Sequence, residues 1–205
     1  MLICGVDEVG RGPIAGDTTA AAVILPARYD LSGLTDSKAL SAKKREALYP
    51  LICEQAVAWH VASATVEEID RMGIAPAVFL AMRRAVEGLS VRPGRILADG
   101  NLEPDFGDIP VKAIIRGDLT EPCISAASVL AKVSRDRYME KMGALYPGYG
   151  FAKTRATAQR PMPRGSKGWA GARYTEGLLS FGGCDKTPGV LRRPLCQRGQ
   201  GREII

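Results

Sequence analysis

Two stretches near the start of the chain, LICGVDEV (2–9) and TTAAAVIL (18–25), are apolar runs of strand length, joined by a Gly- and Pro-rich segment, GRGPIAG (10–16). This pattern predicts a β-hairpin with an unusually long connection. Ser41 predicts the N-cap of a helix whose apolar positions Leu48, Leu51 and Ile52 fall at helical spacing, and VAWHVASA (57–64) alternates as a third strand. Thr65, with Glu68 three residues later, reads as a capping box opening a short helix. After Gly73 the run APAVFLAMRRAVEGL carries Val78, Met82 and Val86 on one stripe and reads as another helix, ended by Gly88 and Pro93. RILAD (95–99) and VKAIIRGD (111–118) are short apolar strands, each delivering a carboxylate at its C-terminal end. From Pro122 to about Met142 the pattern predicts a long helix, small and apolar on one side and basic on the other. The order β-β-α-β-α-α-β-β-α predicts an α/β domain, a mixed central β-sheet flanked by helices.

The chain has 205 residues, 46% of them hydrophobic and 24% charged, which suits one sizeable core and excludes collagen-like, low-complexity or wholly disordered readings. No stretch approaches the roughly 20 apolar residues that span a bilayer. The opening MLICGVDEVG already carries Asp7 and Glu8 and lacks the basic start of a secretory signal, so the expectation is a cytoplasmic chain with no membrane partner. Five cysteines, Cys4, Cys53, Cys123, Cys184 and Cys196, include no C-x-x-C pair and read as free thiols. The single histidine, His60, falls in the third predicted strand, which argues against histidine-based catalysis.

The net charge of +6 has to be divided before it is interpreted. Ten of the 28 Lys and Arg, but only three of the 22 Asp and Glu, lie from Thr154 onward, so the first 153 residues carry a slight acidic excess. The same segment holds nine of the 23 glycines and four of the 13 prolines and has no sustained hydrophobic period. A domain over 1–153 and a divergent, basic, Gly/Pro-rich tail over 154–205, poorly ordered or frameshifted, are therefore expected. The basic surplus belongs to the tail and is discounted as a sign of nucleic-acid binding.

Four acids are placed where strands can bring them together: Asp7 and Glu8 in the first strand, Asp99 at the end of another and Asp118 after a third. Carboxylates crowded in this way raise one another's pKa, and a divalent cation relieves the repulsion. Ligation by oxygen alone suits Mg²⁺ or Mn²⁺ rather than zinc. A pair of such ions can activate water and stabilise the leaving oxygen of a phosphodiester. Alternation sends Asp7 and Glu8 to opposite faces, so one of them must be buried or reach the site from a twisted edge. The glycines of GRGPIAG let backbone amides approach a ligand, with Arg11 available to a phosphate or a ribose hydroxyl. Ser37 and Lys38, and later Ser128 and Lys132, lie at or near helix N-terminal regions, where phosphate contacts are common.

Taken together, DEVGRGPIAG (7–16), TDSKALSAKKRE (35–46), ADGN (98–101), GD (117–118), SAASVLAKVSRDR (125–137) and YPGYGFAK (146–153) resemble the ribonuclease HII family, in that family's order. The resemblance implies a ribonuclease H-like fold. It implies an endonuclease that cuts the RNA strand of RNA–DNA hybrids and cuts beside ribonucleotides embedded in duplex DNA, with Mn²⁺ or Mg²⁺; a monomer is expected, with these nucleic acids as its partners. By position, Asp7, Glu8, Asp99 and Asp118 are similar to the family's metal-binding catalytic acids. Gly10, Arg11 and Gly12 correspond to its motif that reads the ribose 2′-hydroxyl. Ser37, Lys38, Ser128 and Lys132 fall in blocks that touch the phosphate backbone in such enzymes. Asp17 departs from the pattern, standing where these enzymes usually carry proline, and adds an acid beside the site.

The larger departure begins after Lys153. The family continues with an HKGYGT-like segment, whose tyrosine lies against the scissile ribonucleotide, and later with a GPTPIHRRSF-like one; this chain reads TRATAQR and ARYTEGLLSF. Codons AAA CAC AAG GGC TAC GGC ACA GCG encode KHKGYGTA, and removing one cytosine makes them read KTRATAQ, as the chain does from Lys153 to Gln159. In the same displaced frame, codons for ARYTEGLLSF conceal PIHRRSF. Both missing motifs reappear in one shifted frame, so the tail is expected to be a frameshift product. A chain altered in this way could instead be a catalytically impaired nucleic-acid-binding protein, and a two-metal phosphodiesterase acting on DNA is a third reading.

Overall fold

The computed structural model describes residues 1–13, 15–34, 40–147 and 149–151. Ser37, Lys38 and the tail from 152 lie outside the described residues. The hairpin is formed by β1 (Ile3–Val9) and β2 (Thr18–Ile24), antiparallel from Cys4 opposite Ile24 to Val9 opposite Thr19. Ser41 caps α1 (Ala42–Gln55) by accepting from the Lys44 amide, and β3 (Ala58–Ala64) then pairs antiparallel with β2. The capping box forms as expected: Thr65 and Glu68 satisfy each other's backbone amides at the start of α2 (Val66–Met72), and Gly73, at φ 84°, separates it from α3 (Ile74–Glu87). The chain next lays β4 (Arg95–Asp99) parallel to β1, from Ile3 beside Arg95 to Val6 beside Ala98, and β5 (Val111–Ile114) parallel to β4. The five-stranded mixed sheet has the order β3-β2-β1-β4-β5.

Every residue of β2 is buried, because helices cover both faces of the sheet at that point. On one face α3 contributes Ala77, Val78, Ala81, Met82, Ala85 and Val86 to a core with Val6, Ala22 and Ile96. On the other lie α1 and α5 (Pro122–Leu145), packed against Ala21, Val23, Trp59 and Val61. Gly5 is what lets α5 sit so close to β1: a Cβ there would stand 2.2 Å from the Cys123 carbonyl carbon and 2.3 Å from the Ile124 nitrogen.

Two expectations are corrected. The run VKAIIRGD is a strand only as far as Ile114; Arg116 takes a left-handed conformation at φ 57°, and the one-turn helix α4 (Gly117–Thr120) follows, so Asp118 sits on a helical turn beyond the strand. The long helix does not present one continuous basic side either. Wedged between the sheet, α1 and α4, α5 is buried at every position from Ile124 to Asp136, including Lys132, Arg135 and Asp136.

Candidate active site

The adjacency of β1 and β4 assembles the first part of the site. Their parallel register ends at Val6 beside Ala98, so the next residue of each strand is an aspartate, Asp7 and Asp99. Along β1, Cys4 and Val6 belong to the α3-side core, so alternation turns Asp7 toward α5 and Glu8 toward α3. Asp7 is 5% exposed, and its carboxyl is held by the Ser128 hydroxyl and the Glu8 amide. Burial, the neighbouring Glu8 carboxylate and, more weakly, Asp99 push Asp7 well above the ordinary carboxylate range, against those two hydrogen bonds. Glu8 and Asp99, at the C-terminal ends of the interior strands β1 and β4, line one recess together with Arg11, Asn101, Val78 and Met82.

Asp118 joins through its backbone. Asp99 Oδ1 accepts from the Gly117 amide at 2.7 Å and from the Asp118 amide at 3.4 Å, which ties the end of β4 to the start of α4. The Ser125 hydroxyl donates to the Asp118 carbonyl and anchors that turn on α5. Gly117 packs against Ile124, where a would-be Cβ would stand 2.5 Å from the Ile124 Cδ1, so a larger residue there requires that side chain to shift. Asp118 itself is 4% exposed.

In the loop after β1, Gly10 is buried with φ 107°, while Arg11 and Gly12 are exposed beside the acids. Ser128 and Lys132 are not presented to the surface. Ser128 is 4% exposed and faces Asp7, and Lys132 is 7% exposed, its Nζ 2.5 Å from both carboxylate oxygens of Asp136, with Arg45 4.0 Å from the Asp136 Oδ2. The burial of α5 between sheet and helices is the reason. His60, in β3, stands two strands from β1 and packs against Gly88. Cys4, Cys53 and Cys123 are free thiols.

The pattern of the sequence alone points Ser128 at phosphate rather than at Asp7, and it gives no prominence to Arg135, which is fully buried beneath the loop. The available signal is spacing: 124, 128, 131, 135, 139 and 142 form one helical stripe, and Ile124, Ala131, Met139 and Met142 mark it as the buried side.

The donor set fits a hard divalent cation in chemistry. Asp7 and Asp99 are oxygen donors, neither is paired with Lys or Arg among the described residues, and Asp7 is crowded by two further carboxylates, a repulsion that a cation relieves. The acids do not form a closed cage: among the described residues no group of three His, Cys, Asp or Glu side chains is arranged to hold an ion as it stands.

A mixed sheet of this order, with acids at the ends of adjacent parallel strands and a helix pressed on the central strand, defines a ribonuclease H-like protein. The solved ribonuclease H2 of Pyrococcus horikoshii OT3 has this fold, with a TM-score of 0.63 and 26% identity over 75% of this chain and 84% of that one. The family model for Ribonuclease HII matches residues 4–162, and the chain belongs to the ribonuclease HII family. It is 60% identical over 151 residues to the ribonuclease HII of Laribacter hongkongensis, covering 73% of this chain and 76% of the relative. It is 50% identical over 182 residues to that of a serogroup C Neisseria meningitidis, covering 89% and 88%. It is thus an endoribonuclease that hydrolyses the RNA of RNA–DNA hybrids.

Proposed function

We propose that this chain cuts RNA–DNA hybrids, and duplex DNA beside a single embedded ribonucleotide, with Asp7, Glu8, Asp99 and Asp118 holding Mg²⁺ or Mn²⁺. The observation that carries the reading is the convergence of Asp7, Glu8 and Asp99 at the C-terminal ends of β1 and β4, beside the exposed Arg11 and Gly12. Held by these acids, a pair of such ions would supply an activated water and stabilisation of the leaving oxygen of the phosphodiester. Asp7 contributes as a carboxylate, because a cation offsets the burial and crowding that hold its proton. The Gly117 and Asp118 amides fix the orientation of the Asp99 carboxylate. Gly10, Arg11 and Gly12 offer backbone to the ribose, and a Cβ on Gly12 would meet nothing within 4 Å, which leaves that surface open to a sugar. Phosphate contact falls to Ser37 and Lys38 rather than to Ser128 and Lys132.

The chain is also proposed to be a cytoplasmic monomer; Cys4, Cys53 and Cys123 are free thiols, and among the described residues no helix is long and apolar enough to cross a membrane. The tail from 154 is proposed to be read in a displaced frame. The change in composition after Lys153 supports this, whereas the family match runs on to 162 and the alignment with the N. meningitidis relative must run well into the tail. Resequencing the locus decides: one further cytosine after the Lys153 codon is expected, and an unaltered frame overturns the reading.

Function is tested on the full chain with a labelled DNA duplex carrying one ribonucleotide, in Mg²⁺ and in Mn²⁺, beside an all-DNA duplex. Cutting at the ribonucleotide alone, lost in Asp99→Asn, is the expected result. Folded protein that binds the duplex without cutting it in either metal would leave an impaired nucleic-acid-binding protein in its place.

A further inference from the structure

Arg135 is 0% exposed, and of the three nitrogens of its buried guanidinium Nε and Nη2 find partners while Nη1 has none among the described residues. Its Nε donates to the Asp17 carbonyl at 3.1 Å and its Nη2 to the Ala15 carbonyl at 2.9 Å, so one side chain holds two peptide oxygens at the C-terminal end of the loop after β1. It also supports the N-terminal end: a Cβ on Gly10 would stand 2.7 Å from Arg135 Nε. One turn further along α5, Met139 lies under Gly16, whose would-be Cβ comes 2.8 Å from the sulfur. Gly10 and Gly16 both have positive φ, 107° and 83°, so the loop descends onto this turn of α5 at both of its ends with no side chain in the way.

The same helix holds the acids. Ser128 bonds the Asp7 carboxyl and Ser125 bonds the Asp118 carbonyl, two to three turns before Arg135 on one continuous helix. We propose that Arg135 is a positioning residue for substrate selection: it fixes the Gly10–Gly12 segment at a set distance from the carboxylates, so that the ribose being read is the one beside the phosphate being cut. The proposal rests on the reading that Gly10–Gly12 senses the 2′-hydroxyl. A lysine at 135 keeps the charge and most of the stem, but its single nitrogen lacks the planar fork that spans two carbonyls.

The test compares kcat/KM on two duplexes that differ at one sugar, ribose against 2′-fluoro, for the full-length wild type, Arg135→Lys and Gly12→Ala, with folding checked by thermal melting. A merely structural role lowers both rates together; a positioning role lowers the ribose-to-fluoro ratio. The expected result is a fall of about tenfold in that ratio for both variants. If Gly12→Ala lowers the ratio and a folded Arg135→Lys does not, the role of Arg135 is overturned and the loop reading stands. If neither variant lowers it, the loop reading falls and this proposal with it. A folded Arg135→Lys that cuts neither duplex also overturns it, since the acids are untouched. Should Arg135→Lys fail to fold, Met139→Ala, which removes the adjoining support under Gly16, is read by the same ratio.

Discussion

The two faces of the sheet are built from the same strands but bury different kinds of residue. Under α3 the contact is Ala, Val and Met against Val6, Ala22 and Ile96, a packing that needs only fit. Under α5 the helix buries Ser125, Ser128, Lys132, Ser134, Arg135 and Asp136 along with its apolar residues. Polar groups are costly to bury, and several of these each hold a part of the site: Ser128 bonds Asp7, Ser125 bonds the Asp118 carbonyl, and Arg135 bonds the loop. The α3 face supplies stability; the α5 face gives part of that up to place carboxylates and a loop. Mutations on the two faces should therefore fail in different ways.

The largest effect is expected where a carboxylate itself is changed. Asp99→Asn keeps an oxygen that accepts from the Gly117 amide, so its melting temperature should stay within a few degrees of wild type. Its cutting of the ribonucleotide duplex should fall at least about a thousandfold, roughly 4 kcal/mol in the barrier. A folded Asp99→Asn with near-normal rates would remove Asp99 from the chemistry. Next comes the buried pair on α5. Lys132→Met leaves the buried Asp136 carboxylate with Arg45, 4.0 Å away, and the Arg135 charge, and should cost about 3–5 kcal/mol in urea denaturation. Lys132→Met combined with Asp136→Leu should recover most of that loss, and a double variant as unstable as the single one would show that the pair contributes more than mutual neutralisation.

On the other face, Met82→Ala should cost about 2–4 kcal/mol by opening a cavity against the sheet. Although Met82 also floors the recess near Glu8, cutting per folded molecule below the melting range should remain within about twofold of wild type. A loss of activity out of proportion to stability would mean that the α3 face takes part in the site.

How much of the structure is legible in the sequence follows the same division. The capping box at Thr65 and Glu68, the Ser41 cap and the hairpin rest on local rules, and each is where the pattern puts it. The Val78–Met82–Val86 stripe identifies the α3 face because amphipathic burial is periodic. The α5 face resists such reading: Lys132 and Arg135 look like a solvated basic side until the sheet, α1 and α4 are packed around them, which one helix's period cannot reveal. The apolar run before Asp118 brings it beside Asp99, but the left-handed Arg116 that ends β5 early carries no sequence signal, since arginine seldom adopts that conformation.

The smallest effect is also the one that depends on pH. Asp17 sits at the foot of the hairpin, and burial raises its carboxyl to about 6. The Val66 amide and the Arg135 guanidinium favour its charged form, Glu67 and Glu68 oppose it, and the Tyr138 phenol lies near enough to be raised in its turn. An unfolded aspartate titrates near ~3.9. Between about pH 4 and pH 6 the folded state therefore holds a proton that the unfolded state has released, so this group makes the fold less stable as pH rises, and the deficit is complete above about pH 6. Asn can still accept from the Val66 amide but never carries the charge. Asp17→Asn should accordingly stabilise the protein by about 1–2 kcal/mol at pH 7.5 and by almost nothing at pH 4, read as the difference between urea midpoints at the two values. An equal gain at both would place the benefit in packing rather than charge, and no gain at pH 7.5 would mean that the attraction of Arg135 already offsets the burial, making Asp17 part of what holds the loop on α5.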